Sequence, residues 1–285
     1  MRFFKILSNR RLNIRVILEF KFFLPILILR KKIFSFFDRR YDRENIMVNI
    51  GSAYFFERHW KALDYSTPSY PYPPNTLDYN FSLMSEEPFP FEDNSVTYFY
   101  SSHTLEHIPQ SFCPHIFSEM FRCLKPGGAI RLTMPDFDYF YNAYRNGNLK
   151  LFSKHGAGFD NMEEGLISVF AWAVSGNVSS EDVKKNFAKM SRESFANHYI
   201  KLLPAENQET AASHHKNWWN FDKLNQMAIS AGFTDTYKSS PQESRFRAMR
   251  GNFSFFGLNK LFPGNRMLGF DNAHPESSVF FEAVK

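Results

Sequence analysis

Beyond residue 45 the chain alternates short apolar runs of strand length with longer amphipathic ones. Ile46-Met47-Val48-Asn49-Ile50 predicts a first strand, stopped by Gly51-Ser52-Ala53. Trp60-Lys61-Ala62-Leu63-Asp64 predicts a second, ending in an acid. The interval between them holds one short helix at most, near the lower limit for a crossover between parallel strands. A third strand is expected around 77–81. The polar turn Glu92-Asp93-Asn94 then leads into Ser95-Val96-Thr97-Tyr98-Phe99-Tyr100, a β-branched and aromatic fourth strand. Ile116, Phe117, Met120, Phe121 and Leu124 follow helical spacing. Lys125-Pro126-Gly127-Gly128 is expected to stop that helix, and Ile130, Leu132 and Met134 alternate along a fifth strand ended by Pro135.

Strands separated by helices in this order imply a parallel, doubly wound sheet with its ligand site at the carboxyl ends of the strands. Residues 138–213 exceed a simple crossover. Within them, 163–174 and 181–203 read as helices, with Ser179 and Asp182 forming a capping box and Val183, Phe187 and Met190 on one face. The pattern resumes after His214-His215-Lys216-Asn217-Trp218-Trp219. A helix over 222–231 is stopped by Gly232, and 234–238 and 278–284 read as the last two strands.

Composition changes this picture in two places. With 44% hydrophobic and 22% charged residues, a packed core is expected. The two cysteines, Cys113 and Cys123, form no CxxC pair, which argues against a cysteine zinc site and fits a reducing, cytoplasmic setting. The net charge of +5 is unevenly spread: residues 1–45 hold twelve Lys and Arg against four acids, so +8 sits there and −3 on the other 240. The basic character therefore belongs to an extension, and nucleic acid is not the expected partner. Within the extension the apolar run 16–29 is interrupted by Glu19, Lys21 and Pro25 and followed by Arg30-Lys31-Lys32. As a helix it spans about 21 Å, short of a hydrocarbon core of about 30 Å. Two readings stay open: a helix lying on the inner, anionic membrane face, or one packed on the rest of the chain.

Five segments in order then carry a resemblance. They are Val48-Asn49-Ile50-Gly51-Ser52, Leu63-Asp64, Pro88-Phe89-Pro90-Phe91-Glu92-Asp93-Asn94-Ser95-Val96, Ser102-His103-Thr104-Leu105-Glu106-His107-Ile108 and Leu124-Lys125-Pro126-Gly127-Gly128. Together they resemble the small class I S-adenosylmethionine-dependent methyltransferases, most of all those found among enzymes of bacterial surface-glycan synthesis. The likeness covers 46–137 and returns at 214–285, with 138–213 as a helical insertion. It implies an α/β Rossmann-like sheet, mostly parallel with an antiparallel last strand. It also implies S-adenosyl-L-methionine as cofactor and a small-molecule, glycan or lipid-linked acceptor methylated on oxygen, with the insertion covering the acceptor pocket.

On that reading Asn49, Gly51 and Ser52 approach the methionine part, and Asp64 accepts both ribose hydroxyls. Asn80 and Phe81 lie beside the adenine, and Ser101 and Ser102 face the methyl donor. The family's G-x-G pattern is reduced here to Gly51-Ser52-Ala53, and Asn80 stands where many relatives carry an acid. Methyl transfer is largely a matter of positioning. A hydroxyl acceptor must also lose a proton, and histidine, with an unperturbed pKa of about 6.5, suits that task. His103 is the first candidate base; Asp136, His214 and His215 are others. The resemblance also admits a non-catalytic scaffold that keeps the fold.

Two features invite other chemistry. His103-Thr104-Leu105-Glu106-His107 matches H-x-x-E-H, an inverted zinc-peptidase motif. That chemistry needs a stable helix to align both imidazoles. Here the motif follows a strand and meets Pro109, so no metal is expected. Residues 245–270 mix Arg245, Arg247, Arg250, Lys260 and Arg266 with six phenylalanines. Such a mixture suits a phosphorylated or lipid-linked acceptor, a membrane surface or single strands of nucleic acid, and equally a loop packing its rings inward.

Overall fold

The strand signals condense into a single seven-stranded sheet in a computed structural model that describes residues 24–37, 39–52, 57, 59–66, 76–148, 151–152, 161–205, 214–250, 270–271 and 274–285. The strands are β1 (Ile46–Ile50), β2 (Trp60–Asp64), β3 (Tyr79–Asn80), β4 (Val96–Ser102), β5 (Leu124–Pro135), β6 (Asp235–Lys238) and β7 (Ser278–Val284). Their order across the sheet is β3-β2-β1-β4-β5-β7-β6. The first five are parallel; β7 runs antiparallel to both β5 and β6. This is the expected Rossmann-like sheet, mostly parallel with an antiparallel last strand. The order reverses between β1 and β4, so the crevice for a ligand opens at their carboxyl ends.

Helices α3 (Cys113–Cys123) and α9 (Phe221–Ala231) cover one sheet face. There Ile116, Phe117, Met120, Leu224 and Ala228 pack on Val48, Ile50, Phe99, Ile130 and Leu132. On the other face Met47, Trp60 and Tyr100 pack with Met249 and Phe270. A separate apolar cluster fills the insertion, where Phe137, Phe140, Phe170, Phe195 and Trp218 join α4 (Phe137–Arg145), α5 (Met162–Ser168), α6 (Trp172–Ser175), α7 (Ser180–Lys189) and α8 (Arg192–Ile200).

Several expectations need correction. The third strand shrinks to two residues because Asp78 replaces a ladder partner: its carboxylate accepts from Ala62 N at 2.8 Å. The fourth strand runs on to Ser102. Lys125-Pro126-Gly127-Gly128 does not separate helix from strand; Leu124 is already extended, and the four residues form a bulge inside β5 between the Val96–Leu124 and Tyr98–Ala129 pairs. The helix read over 163–174 divides into α5 and α6, and the one over 181–203 divides into α7 and α8. In the second case the Ser191 hydroxyl caps a new start by accepting from Ser194 N. Of the apolar run 16–29, the described part, 24–29, is helical: it belongs to α1 (Leu24–Phe37), which runs on through Arg30-Lys31-Lys32, and α2 (Arg39–Glu44) follows. Residues 1–23 of that reading lie outside the described residues.

The alternation that sends Ile130, Leu132 and Met134 to the helices sends Arg131 and Thr133 to the opposite face, where both are fully buried. Register places Tyr100, Arg131 and Glu282 side by side. The Arg131 guanidinium pairs with Glu282 and with Asp271, the latter at 2.6 Å, and donates to the Ser240 carbonyl at 2.7 Å. Asp271 also accepts from Gln242 N and donates its own N–H to the Tyr100 hydroxyl. Deleting one member of a buried pair strands the other. Asp271→Ala is therefore expected to lower the unfolding free energy by about 3–5 kcal/mol, read by urea denaturation; a loss below about 1 kcal/mol, the range of exposed pairs, contradicts this account.

Candidate active site

The crevice is bounded by the residues that leave β1, β2 and β4. Gly51 follows β1 with φ of +63°, and its N–H donates to the Leu63 carbonyl at 2.9 Å, which holds it beside the end of β2. A Cβ built there would lie 2.1 Å from Thr104 Oγ1. Only glycine serves this position, for its backbone angle and for the space Thr104 occupies. Ser52 is buried, and its hydroxyl has no hydrogen-bond partner among the described residues. Residues 53–56 lie outside the described residues.

Asp64 ends β2 opposite Asn80 of β3. Its carboxylate accepts from Tyr65 N at 2.7 Å, and its carbonyl accepts from Phe81 N. The Asn80 side chain accepts from Ser66 N at 3.0 Å, and Phe81 rests edge-on against Phe89. Asn49 is buried within β1 between Ala62 and Tyr100, one residue short of the crevice. At the end of β4 Ser101 is buried with an unpartnered hydroxyl, and Ser102 is half-buried. Gly51, Asp64, Ser101 and Ser102 thus share one sheet edge, with two buried hydroxyls available to a ligand.

His103 follows at a left-handed turn, φ +52°, with its N–H on the Thr133 carbonyl. The turn carries its ring across the end of β5 to the start of β7. Nε2 lies 2.9 Å from the Ser278 hydroxyl, and Nδ1 lies 3.1 Å from a carboxylate oxygen of Glu106. Glu106 is itself buried on a single 3₁₀ turn, Leu105–His107. Burial alone would raise its pKa, but the positive field of His103, with smaller contributions from His107 and His215, holds it near 2. That carboxylate orients the His103 ring so that Nε2 faces the end of β7. The two imidazoles of the H-x-x-E-H motif consequently point to different neighbours, and the helix a zinc peptidase needs is not formed.

The other candidate bases lie on neighbouring segments. Asp136 caps α4, accepting from Asp138 N at 3.0 Å; burial raises its pKa, and Lys238 lies 3.8 Å away. His214 sits beside Trp172 with a buried, unpartnered Nδ1, and burial lowers its pKa. His215 bonds the Val169 carbonyl through Nδ1. Sequence reasoning missed Glu106 and Ser278 as members of this group. In the stretch 245–270, residues 251–269 lie outside the described residues, while Phe246 packs on Tyr98 and Phe270 on Trp60 and Tyr100.

Comparison with known proteins bears on this geometry. A methyltransferase domain family matches residues 55–132. A 54-residue stretch is 37% identical to phosphoethanolamine N-methyltransferase 2 of Caenorhabditis elegans, covering 19% of this chain and 12% of that protein. Among solved structures, phosphoethanolamine N-methyltransferase 2 of Haemonchus contortus, in complex with S-adenosyl-L-methionine, superposes at TM-score 0.38 and 16% identity. That superposition covers 85% of this chain and 48% of the other, so the chain spans about half the length of that relative. An S-adenosylmethionine-dependent methyltransferase of Mesorhizobium loti superposes at TM-score 0.40 and 11% identity, over 88% and 98% of the two chains. Likenesses this loose transfer no residue roles.

Gly51→Ala is expected to lower the melting temperature, because the new methyl meets Thr104 and φ becomes strained. Adding Thr104→Ala should recover part of the loss but not all, since it removes the clash and leaves the strain. Equal melting temperatures for Gly51→Ala and the parent would refute this packing.

Proposed function

We propose that the chain is an S-adenosylmethionine-dependent methyltransferase that methylates a hydroxyl of a sugar or of a glycan- or lipid-linked intermediate. The observation that carries this reading is the shared edge of Gly51, Asp64, Ser101 and Ser102 at the point where strand order reverses, with the His103 ring behind it. When bound, S-adenosylmethionine supplies an activated methyl group. Gly51 lets the backbone approach the methionine part without a Cβ between them. The Asp64 carboxylate accepts from the ribose hydroxyls, and Asn80 and Phe81 border the adenine. The buried hydroxyls of Ser52 and Ser101 find donors or acceptors on the ligand. On the acceptor side, His103 Nε2 takes the hydroxyl proton, and Glu106 holds the ring by its Nδ1 side. The glycan part of the proposal is supported by resemblance alone.

Contact with an anionic membrane face belongs to the same proposal. Ile26, Leu29, Ile33 and Phe36 lie exposed on α1 at spacings of three, four and three. Lys31, from another side of that helix, is tied to Asp78 of the domain. None of the described helices is long and apolar enough to cross a membrane. An apolar stripe on a helix anchored to the domain suits the interface rather than the bilayer interior.

Two experiments test these readings. Calorimetric titration of S-adenosylmethionine and S-adenosylhomocysteine into the full chain should show one site, weakened at least about tenfold, or 1.4 kcal/mol, by Asp64→Ala. His103→Gln should bind the cofactor like the parent yet lose about 10²–10⁴-fold in turnover on whichever hydroxyl acceptor the parent methylates. No cofactor binding by the folded chain would leave the non-catalytic scaffold in first place. For the membrane contact, the chain should co-sediment with vesicles containing phosphatidylserine, and Ile33→Glu with Phe36→Glu should abolish this; unchanged sedimentation counts against it.

A further inference from the structure

Glu106 has a second set of neighbours besides His103. Its carboxylate is buried, and neither oxygen receives an aligned hydrogen bond. His107 Nε2 lies 3.9 Å from one of those oxygens. The rings of His107 and His215 meet edge-on, 4.8 Å between centroids. One ligand atom from each of Glu106, His107 and His215 falls within 4.8 Å of the others, the one such group of three among the described residues.

The outer faces of the two imidazoles are already committed. His107 Nδ1 bonds the His214 carbonyl at 3.2 Å, and His215 Nδ1 bonds the Val169 carbonyl at 2.7 Å. A carbonyl can only accept, so both rings carry a proton on Nδ1. Metal-binding histidines show the same bracing, with the far N–H held by a backbone carbonyl. The frame is also braced: Lys216 N donates to the Glu106 carbonyl at 2.7 Å, and Trp172 N donates to the His215 carbonyl at 3.1 Å.

We infer that Glu106, His107 and His215 bind one divalent first-row transition-metal ion of the zinc class. Two imidazoles and one carboxylate suit such an ion, whereas calcium and magnesium prefer oxygen ligands throughout. Bonds of about 2.0–2.2 Å require the three ligand atoms to draw inward around the ion. Three protein ligands leave a fourth position for water or an acceptor oxygen. The set differs from the one that H-x-x-E-H suggests: His103 is turned toward Ser278, and the third ligand comes from the segment that returns after the insertion. The ion would join the turn after β4 to that segment, both of which border the proposed acceptor side. The inference does not depend on cofactor binding, which the calorimetry above reports separately.

The test uses the untagged full chain, treated with a chelator and then titrated with zinc(II), with cobalt(II) absorption as a second probe. One equivalent of zinc should bind and raise the melting temperature. His107→Ala and His215→Ala should each weaken binding by more than tenfold, while His103→Gln retains it. A tetrahedral cobalt spectrum should appear in the parent and vanish in His215→Ala. No zinc binding by the folded parent overturns the inference. So does equal affinity in the His107→Ala/His215→Ala double variant, or a site that His103→Gln destroys and His215→Ala spares.

Discussion

A guanidinium buried at the middle of a parallel sheet must be neutralised where it stands. Arg131 is fully buried on β5, and the chain answers it with carboxylates from two distant stretches, Glu282 on β7 and Asp271 before it. The demand spreads outward. Tyr237 donates its hydroxyl to Glu282, Arg245 N donates to the same carboxylate, and the Ser239 and Ser240 oxygens take further guanidinium protons. One face of the far half of the sheet is thereby organised around charge, while the other keeps its apolar packing. Such pairs contribute little net stability but penalise every arrangement that leaves one member alone, so they select one register for β5, β7 and β6.

A second buried charge governs the other end of the same strands. Glu106 meets His103 on one side and His107 with His215 on the other, and all depend on one 3₁₀ turn after β4. The edge proposed for the cofactor is built differently, from backbone: a glycine where Thr104 leaves no room for a Cβ, and an acid set by pairing of β2 with β3. Backbone sites tolerate change in side chains around them, whereas the histidine group depends on side chains over a hundred residues apart.

The central strands were legible because they run through the buried layer and show as apolar runs, unlike the more exposed β3 and β6; β1, β2 and β7 match their expected limits. The helices of the insertion were legible in kind but not in number, since their breaks come from local caps such as Ser191 rather than from glycine or proline. Arg131 was hidden by the same alternation that revealed its neighbours: a charged residue between apolar ones reads as solvent-facing when both faces are in fact covered. Of the histidine group, His103-Thr104-Leu105-Glu106-His107 drew attention as a motif, and His215 as one of two adjacent histidines. What could not be read was their meeting, which needs the 3₁₀ turn and the Lys216–Glu106 hydrogen bond to bring the segments together. A conspicuous acid flanked by histidines, paired with a second histidine run downstream, was the signal available.

The position of β7 also sets an order of events during synthesis. It lies between β5 and β6 although it follows both in the chain. Until residue 284 has left the ribosome, β6 has no strand to pair with and Arg131 lacks Glu282. The half of the sheet holding β1, β2, β4 and β5 can assemble earlier, with Arg131 still short of its Glu282 partner on the open edge. A nascent chain halted before β7 would expose that edge, so closure of the sheet waits for β7.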